Sequence, residues 1–480
     1  MKVLLLNAPW KTETGFGVRS NSRWAHTRKD KVLPFPVYLA YTAAILEKQG
    51  FDVKIIDAVA SDLTVEEVAQ RAEGFDIVFI ETTTPSIDYD LQCAESIKKS
   101  NPKIVVSLIG PHASVFNTKI MEDHDFIDYV IIGEFEETIA DLVEKLDKRE
   151  NINKIKGITY REGGIIKQNP HRDYIRDLDS LPFPARHLFD MKKYDSHLYK
   201  SPSFLMISSR GCPYQCTYCL WPQVMYGHSF RVRSARNVVD EMEFLVKKFG
   251  AKEICFDDDT FTIGKERVIN ICKEIRKRDL KIEWSCFGRV GLDEETLKEL
   301  KMAGCEHIRY GVESGSQELL NRCKKNTSIE EIKKTFELTK KVGIRDYGTF
   351  MFGLPGETWK TVEQTINLAI ELDPYAVQFS LVIPFPGTEY YYEVKKKNLL
   401  KATSWKEFDG GAKSVIETEE LTREDLEKAM ALAWKQFYLR PAYIFKSLIR
   451  HIKSFQDIKR LYGGTKSFFK RWAFFRNKLK

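Results

Sequence analysis

Two stretches of the chain alternate short, uniformly apolar strands with helical patterns, and this alternation settles most of what it can fold into. In the first, residues 1 to 148, the strands read VLLLN, VKIID, IVFIET, IVVSLIG and YVIIG, with a helix from about Tyr38 to Gln49 after the first. Strands this apolar are buried on both sides, so they predict a parallel sheet covered by helices on both faces, Rossmann-like or flavodoxin-like. Ligands of such sheets sit beyond the strand carboxyl ends, which gathers Pro9 and residues 82–86, 110–113 and 133–134 around one crevice.

The second series begins at Phe204 and reads FLMISS, EICFDD, IEWSCF, HIRYGVE, YGTFMFG and VQFSLVIP. Six strand-helix units predict an open, partial (β/α)6 barrel with its working residues at the strand carboxyl ends. The domain reading is an α/β domain over 1–148, a connector over 149–200, the barrel over 201–400 and a helical region over 401–480. The connector carries a hairpin signal at Gly163 and Gly164, and the last region a helix start at Thr422 with acids in its first turn.

A chain of 480 residues with nine cysteines is too sparse in cysteine for a disulfide scaffold. Only Cys212, Cys216 and Cys219 cluster, spaced C-x3-C-x2-C in the segment SSRGCPYQCTYC that follows the first barrel strand. Three thiolates on a tight loop suit three corners of an iron-sulfur cubane and leave the fourth iron open to a small chelating ligand. A structural zinc site with His228 as fourth ligand, or three buried cysteines without chemistry, is the competing reading; zinc sites usually show two close cysteine pairs.

With the motifs quoted, residues 204 to 390 resemble the radical S-adenosylmethionine (SAM) core, and residues 1 to 150 resemble the cobalamin-binding domain that precedes it in one large subgroup. The resemblance rests on the cysteine motif, then on FDDDTF (256–261), GVESG (311–315), GTFMFGLPGE (348–357) and PFPGT (384–388). It implies a [4Fe-4S] cluster on Cys212, Cys216 and Cys219, with SAM cleaved there by one electron from a donor such as flavodoxin or ferredoxin. It places Tyr218 against SAM, Asp257 and Asp258 at its amino group, Arg289 at its carboxylate, Glu313 and Ser314 at the ribose hydroxyls, and Gly353 beside the adenine. The bland counterparts are a core aromatic for Tyr218, a helix cap for the aspartates and a surface ion pair for Arg289.

For cobalamin the resemblance implies Thr83, Ser86, Gly110, Gly133 and Glu134, although small residues at strand ends are also what any such fold needs. The D-x-H-x-x-G signature for an axial histidine is missing after the first strand, and His112 reads as a loop residue. A shorter likeness, CLWPQ (219–223) with Gly227-His228 and FDDDTFT, points to the subgroup that makes hopanoid cyclitol ethers and archaeal calditol lipids.

The net charge of +7 is uneven: residues 435–480 hold thirteen Lys or Arg against one acid, Asp457, while the remainder sums to −5. Aromatic residues interleave these cations from Phe437 to Phe475, as in helices that lie on anionic membrane surfaces. A helical cap over the barrel is the alternative, RNA is a disfavoured rival, and no DNA partner is expected. With no secretory signal and no spanning segment in the sequence, the expectation is a cytoplasmic protein, or one peripheral to the inner membrane surface.

These readings converge on an enzyme that abstracts hydrogen from a lipid-linked or isoprenoid-type substrate. Either cobalamin-dependent C-methylation or radical rearrangement of a lipid-attached sugar follows. The alternatives are a non-catalytic membrane-surface binding protein and a tRNA methylthiotransferase-like enzyme, the latter disfavoured because only Cys93 lies in the first domain.

Overall fold

The computed structural model describes residues 1–451 apart from 14, 20–24, 30, 196–198 and 411–412. The first sheet contains β1 (Lys2–Asn7), β2 (Asp52–Asp57), β3 (Ile77–Glu81), β4 (Val105–Ile109), β5 (Tyr129–Ile131), β6 (Ile158–Glu162) and β7 (Ile165–Gln168), in the spatial order β7-β6-β5-β4-β3-β1-β2. The first five are parallel and follow the flavodoxin-like order, with the switch of direction between β1 and β3. The hairpin at Gly163 and Gly164 forms as β6 and β7, but it pairs antiparallel on β5. The first sheet therefore continues past residue 148 into the connector, which covers the β5 edge that five strands would leave open.

The expected first helix forms as Val37–Lys48 and is buried on nearly every side, including Tyr38, Tyr41 and Leu46. A helix apolar all round belongs inside the molecule. It sits there because the barrel domain packs over the face that the first sheet does not cover, with Trp221 and Tyr226 against Tyr38.

The second sheet is β8 (Ser203–Met206), β9 (Glu253–Phe256), β10 (Glu283–Gly288), β11 (Cys305–Glu313), β12 (Arg345–Phe352) and β13 (Ala376–Leu381), all parallel and in sequence order. β8 and β13 remain the two edges, so the barrel is open as the six-unit count predicts. Residues 401–438 are not a separate appendage. Val415, Ile416, Leu421, Leu426 and Met430 join the barrel core, and the helix Arg423–Tyr438 packs against β13 and the helix Trp359–Leu372. Among the described residues no helix is long and apolar enough to cross a membrane.

Candidate active site

The cysteine loop leaves the carboxyl end of β8 and is fixed from several directions. Asp258 accepts from the Ser208 amide at 2.7 Å and from the Ser208 and Ser209 hydroxyls at 2.5 Å each, while Asp259 accepts from the Gly211 amide at 2.9 Å. On the far side the side-chain amide of Gln223 donates to three carbonyls, those of Cys216, Thr217 and Cys219, at 3.1, 3.2 and 2.8 Å. Thr217 also bridges to later chain, its amide on the Cys323 carbonyl and its carbonyl under the Tyr390 amide. With the backbone pinned, the thiols converge: Cys216 and Cys219 hydrogen bond to each other, and Cys212 lies within electrostatic reach of both.

The three thiols suit a cluster better than a single ion. Among the described residues, no three His, Cys, Asp or Glu side chains come close enough to share one metal, whereas cubane ligands sit on separate irons. His228, the fourth ligand of the zinc reading, places Nδ1 on the Tyr214 carbonyl at 2.9 Å and thereby props the loop. The Cys219 hydrogen bond pulls the Cys216 thiol down to about 6, with Lys325 and Arg289 helping against burial. A thiolate is the form that iron binds.

Around this loop the structure gathers Tyr218, Glu313, Arg289 and Lys325. The Tyr218 hydroxyl is buried without a hydrogen-bond partner, and burial, Glu313 and the neighbouring thiols all push its pKa up. Glu313 ends β11 at a register shift with φ +72°, a left-handed conformation that costs a non-glycine residue about 1–3 kcal/mol and is typical of functional sites. Lys325 Nζ holds its carboxylate at 2.8 Å, both side chains nearly buried. Gly311 makes room for the pair, since a Cβ there would meet Glu313 Oε1 at 2.4 Å and Lys325 Nζ at 2.9 Å. Arg289 stacks its guanidinium 3.7 Å from the centre of the Tyr214 ring and donates to the Asn326 carbonyl. An unpaired hydroxyl, an acceptor and two cations beside the thiols fit an amino-acid nucleoside such as SAM.

Three other expected SAM contacts have internal work. Asp258 is taken up by Ser208, Ser209 and Arg267, so its carboxylate holds the start of the loop. Ser314 faces Thr365 at 3.1 Å and accepts from the Ser316 amide. Gly353 donates to Glu357 and its carbonyl accepts from the Tyr390 hydroxyl at 2.6 Å. Asp257 is buried at the end of β9, within electrostatic reach of Tyr38 and Cys255.

In the first domain, residues 82–86 and 110–114 close on one another at the strand ends. Gly110 has φ +101°, and a Cβ there would lie 2.4 Å from the Thr82 carbonyl. Thr83 and Ser86 bond one another, Ser86 also donates to Asp90, and the Gly133 amide donates to Ser114. The buried Ser107 hydroxyl in β4 has no partner. A buried hydroxyl left without a partner close to the strand ends fits a polar group of a bound cofactor. His112 is wedged against Phe116 and Trp405, and burial drops its pKa to about 3, as suits a packed neutral ring. Cys93 is core, its thiol pushed up to about 12 by burial.

Glu134 does different work. It accepts from Arg210 at 2.6 Å and from Arg231 at 2.8 Å, and Arg210 also pairs with Glu136 at 2.7 Å. Both arginines flank the cysteine loop, so Glu134 ties the first domain to it. Val115 and Val224 meet over Gly387, and His112 meets Trp405. The strand carboxyl ends of both domains thus share one interface.

At the β1/β3 switch lies a buried cluster that carries no sequence signature. Arg19 pairs with Asp90, donates to Asn7 and reaches the Ala8 carbonyl at 2.9 Å, while Asn7 and Tyr194 donate to Asp57. Burial, opposed by Arg19 and reinforced by Asp90 and Asp57, raises Glu81 to about 7. The folded chain then keeps a proton that the unfolded chain has lost, so this group's contribution to stability declines as pH rises through that window. Glu81→Gln is expected to change urea stability little near pH ~5 and to raise it by about 2 kcal/mol near pH ~8. An equal change at both values would refute the assignment.

The comparisons with known proteins agree with this geometry. Residues 206–369 match the radical SAM superfamily and residues 28–143 the B12 binding domain. The chain is 34% identical over 420 residues to an uncharacterised methyltransferase of Pyrococcus horikoshii, covering 87% of this chain and 90% of that one. It is 27% identical to the anaerobic magnesium-protoporphyrin IX monomethyl ester cyclase of Rubrivivax gelatinosus, over 85% of this chain and 74% of the relative. In fold it is similar to the cobalamin-dependent SAM radical enzyme OxsB, with TM-score 0.72 and 18% identity, covering 98% of this chain and 72% of OxsB. Thiols suited to a cluster thus stand at the interface with a B12-binding domain: the chain belongs to the radical SAM superfamily, in the group with an N-terminal B12-binding domain, and is an enzyme of a [4Fe-4S] cluster, SAM and cobalamin.

Proposed function

We propose that the enzyme methylates an unactivated carbon of a lipid-linked or isoprenoid-type substrate. The observation behind methyl transfer is the shared interface: Arg210, which introduces the cysteine loop, is locked to Glu134 and Glu136 of the first domain, so both cofactor sites address one space. When bound, the cluster supplies the electron that splits SAM for hydrogen abstraction, and the cobalamin carries the methyl group. The chain's own part is to hold: Cys212, Cys216 and Cys219 bind iron, Arg289 and Lys325 offer cations to a carboxylate, and Glu313 and Tyr218 offer partners to hydroxyls. A one-electron donor of the flavodoxin or ferredoxin class completes the system.

Rearrangement of a lipid-attached sugar is the second reading, and its main support weakens on inspection of the CLWPQ run. Trp221 stacks between Tyr38 and Tyr226, Pro222 is buried, and Gln223 clamps the loop carbonyls, so loop packing accounts for these residues without reference to substrate.

Anaerobically reconstituted protein is expected to carry about four irons and one cobalt per chain, and to form 5′-deoxyadenosine when reduced. Lipid extracts of cells with and without the protein then separate the readings. A product one methylene heavier, with S-adenosylhomocysteine released, supports methylation; an altered headgroup without added carbon selects rearrangement. An unchanged lipid profile alongside active SAM cleavage removes the lipid substrate from the proposal.

A further inference from the structure

The C-terminal region divides the two roles its sequence suggests. Its beginning is a cap: Phe437 is buried, the Tyr438 hydroxyl bonds both the amide and the carbonyl of Val377, and the Tyr443 hydroxyl donates to the Tyr375 carbonyl. Arg440 and Lys446 pair with Asp373. These contacts dock the helix Pro441–His451 at the amino end of β13, the end of the barrel remote from the cysteine loop. The inward face is thus occupied, yet Leu439, Ile444 and Phe445 stand 37, 44 and 66% exposed within seven residues. The Phe455 to Phe475 part of the aromatic run lies outside the described residues.

We infer that this exposed face is a docking surface for an anionic lipid bilayer. Charge complementarity selects the occupant: residues 435–480 hold thirteen Lys or Arg and a single acid, whereas the rest of the chain is net negative. The chain before residue 435, at net −5, would be repelled by an anionic surface, and only this end is drawn to it. Exposed leucine, isoleucine and phenylalanine amid cations suit the headgroup boundary, where rings and branched chains insert and ammonium and guanidinium groups stay wet. A nucleic acid would reward the cations equally and stack on Phe445, but it gains little from the aliphatic Leu439 and Ile444, which a bilayer rewards. Docking at the barrel's remote end also implies recruitment, with the shared cofactor interface left facing away from the anchor. The inference stands apart from the substrate proposal, because a soluble substrate would not alter it.

Full-length holoenzyme sedimented with vesicles of phosphatidylcholine and phosphatidylglycerol in equal parts is expected to bind, and to release as salt is raised from about 0.1 M to 1 M. Vesicles of phosphatidylcholine alone should retain little. I444E/F445E, both at exposed positions, should weaken binding about tenfold or more with 5′-deoxyadenosine formation unchanged, and so should removal of residues 452–480. Equal binding to neutral vesicles would overturn the inference, as would vesicle binding that survives both changes. So would a preference for single-stranded RNA that is indifferent to I444E/F445E.

Discussion

Lys325→Met is expected to leave a protein that still loads iron but cleaves SAM about a hundredfold more slowly. Among the described residues Lys325 is the one partner that holds Glu313 Oε1, at 2.8 Å and almost out of water. Without the cation, the carboxylate is left buried and uncompensated, which destabilises by about 3–5 kcal/mol in comparable pairs. Glu313 is then no longer held in place as an acceptor beside the Tyr218 hydroxyl and the thiols. Lys325 also lowers the Cys216 thiol, so the cluster edge becomes more negative in the variant. Arginine should not rescue it, because Gly311 leaves space fitted to the slender ammonium. A double change, K325M/E313Q, separates stability from binding: it should recover much of the denaturant stability without recovering SAM affinity. Equilibrium binding of SAM, together with the change SAM induces in the reduced cluster's electron paramagnetic resonance spectrum, gives the direct reading. Parent-like affinity in K325M would show that the Lys325–Glu313 pair is structural only.

How much of this site could be read from residues alone follows from what kind of contact each one makes. The thiols were legible because ligand spacing on a loop is a local property, and the strands of both sheets because buried parallel strands are apolar throughout. Lys325 was not legible. It lies in a run of polar and basic residues, RCKKNTS, where nothing distinguishes it from the surface neighbour Lys324, and only the fold turns it under Glu313. Glu134 stood beside a strand-end glycine, where a crevice residue is the natural reading; its ion-pair partners, Arg210 and Arg231, are 76 and 97 residues away and beyond any local pattern. Gln223 shows the opposite error. Its short motif invited a substrate reading, while its amide is saturated by three carbonyls of the cysteine loop. Asp258 ends up at a strand end, where its carboxylate caps its own loop, a contact that no local signal in the sequence announces.

Arg210→Met is expected to cost much of the protein's stability and to uncouple the two domains. The guanidinium is buried, pairs with Glu134 and Glu136, and lies 5.2 Å from the ring centres of Tyr38 and Tyr41. Removing it affects its two acids unequally. Glu134 retains Arg231 at 2.8 Å, whereas Glu136, whose pKa burial already raises, has no second cation among the described ion pairs and is left uncompensated within a low-dielectric contact. That asymmetry predicts a cost of about 3–5 kcal/mol, as large as that of Lys325→Met, concentrated on Glu136, so R210M/E136Q should regain most of it while R210M/E134Q should not. The functional consequence follows from position rather than chemistry. Cys212 is two residues beyond Arg210, but the loop keeps its clamps from Gln223, Asp258 and Asp259, so iron binding and reductive SAM cleavage should persist. What is lost is the fixed relation between that loop and the first domain. In denaturant, unfolding should split from one transition into two; in assay, 5′-deoxyadenosine should continue to form while methylated product falls away. A single cooperative transition in R210M, or cleavage and methylation declining in step, would mean the domains are joined mainly by the apolar contacts around Tyr38, Trp221 and Tyr226.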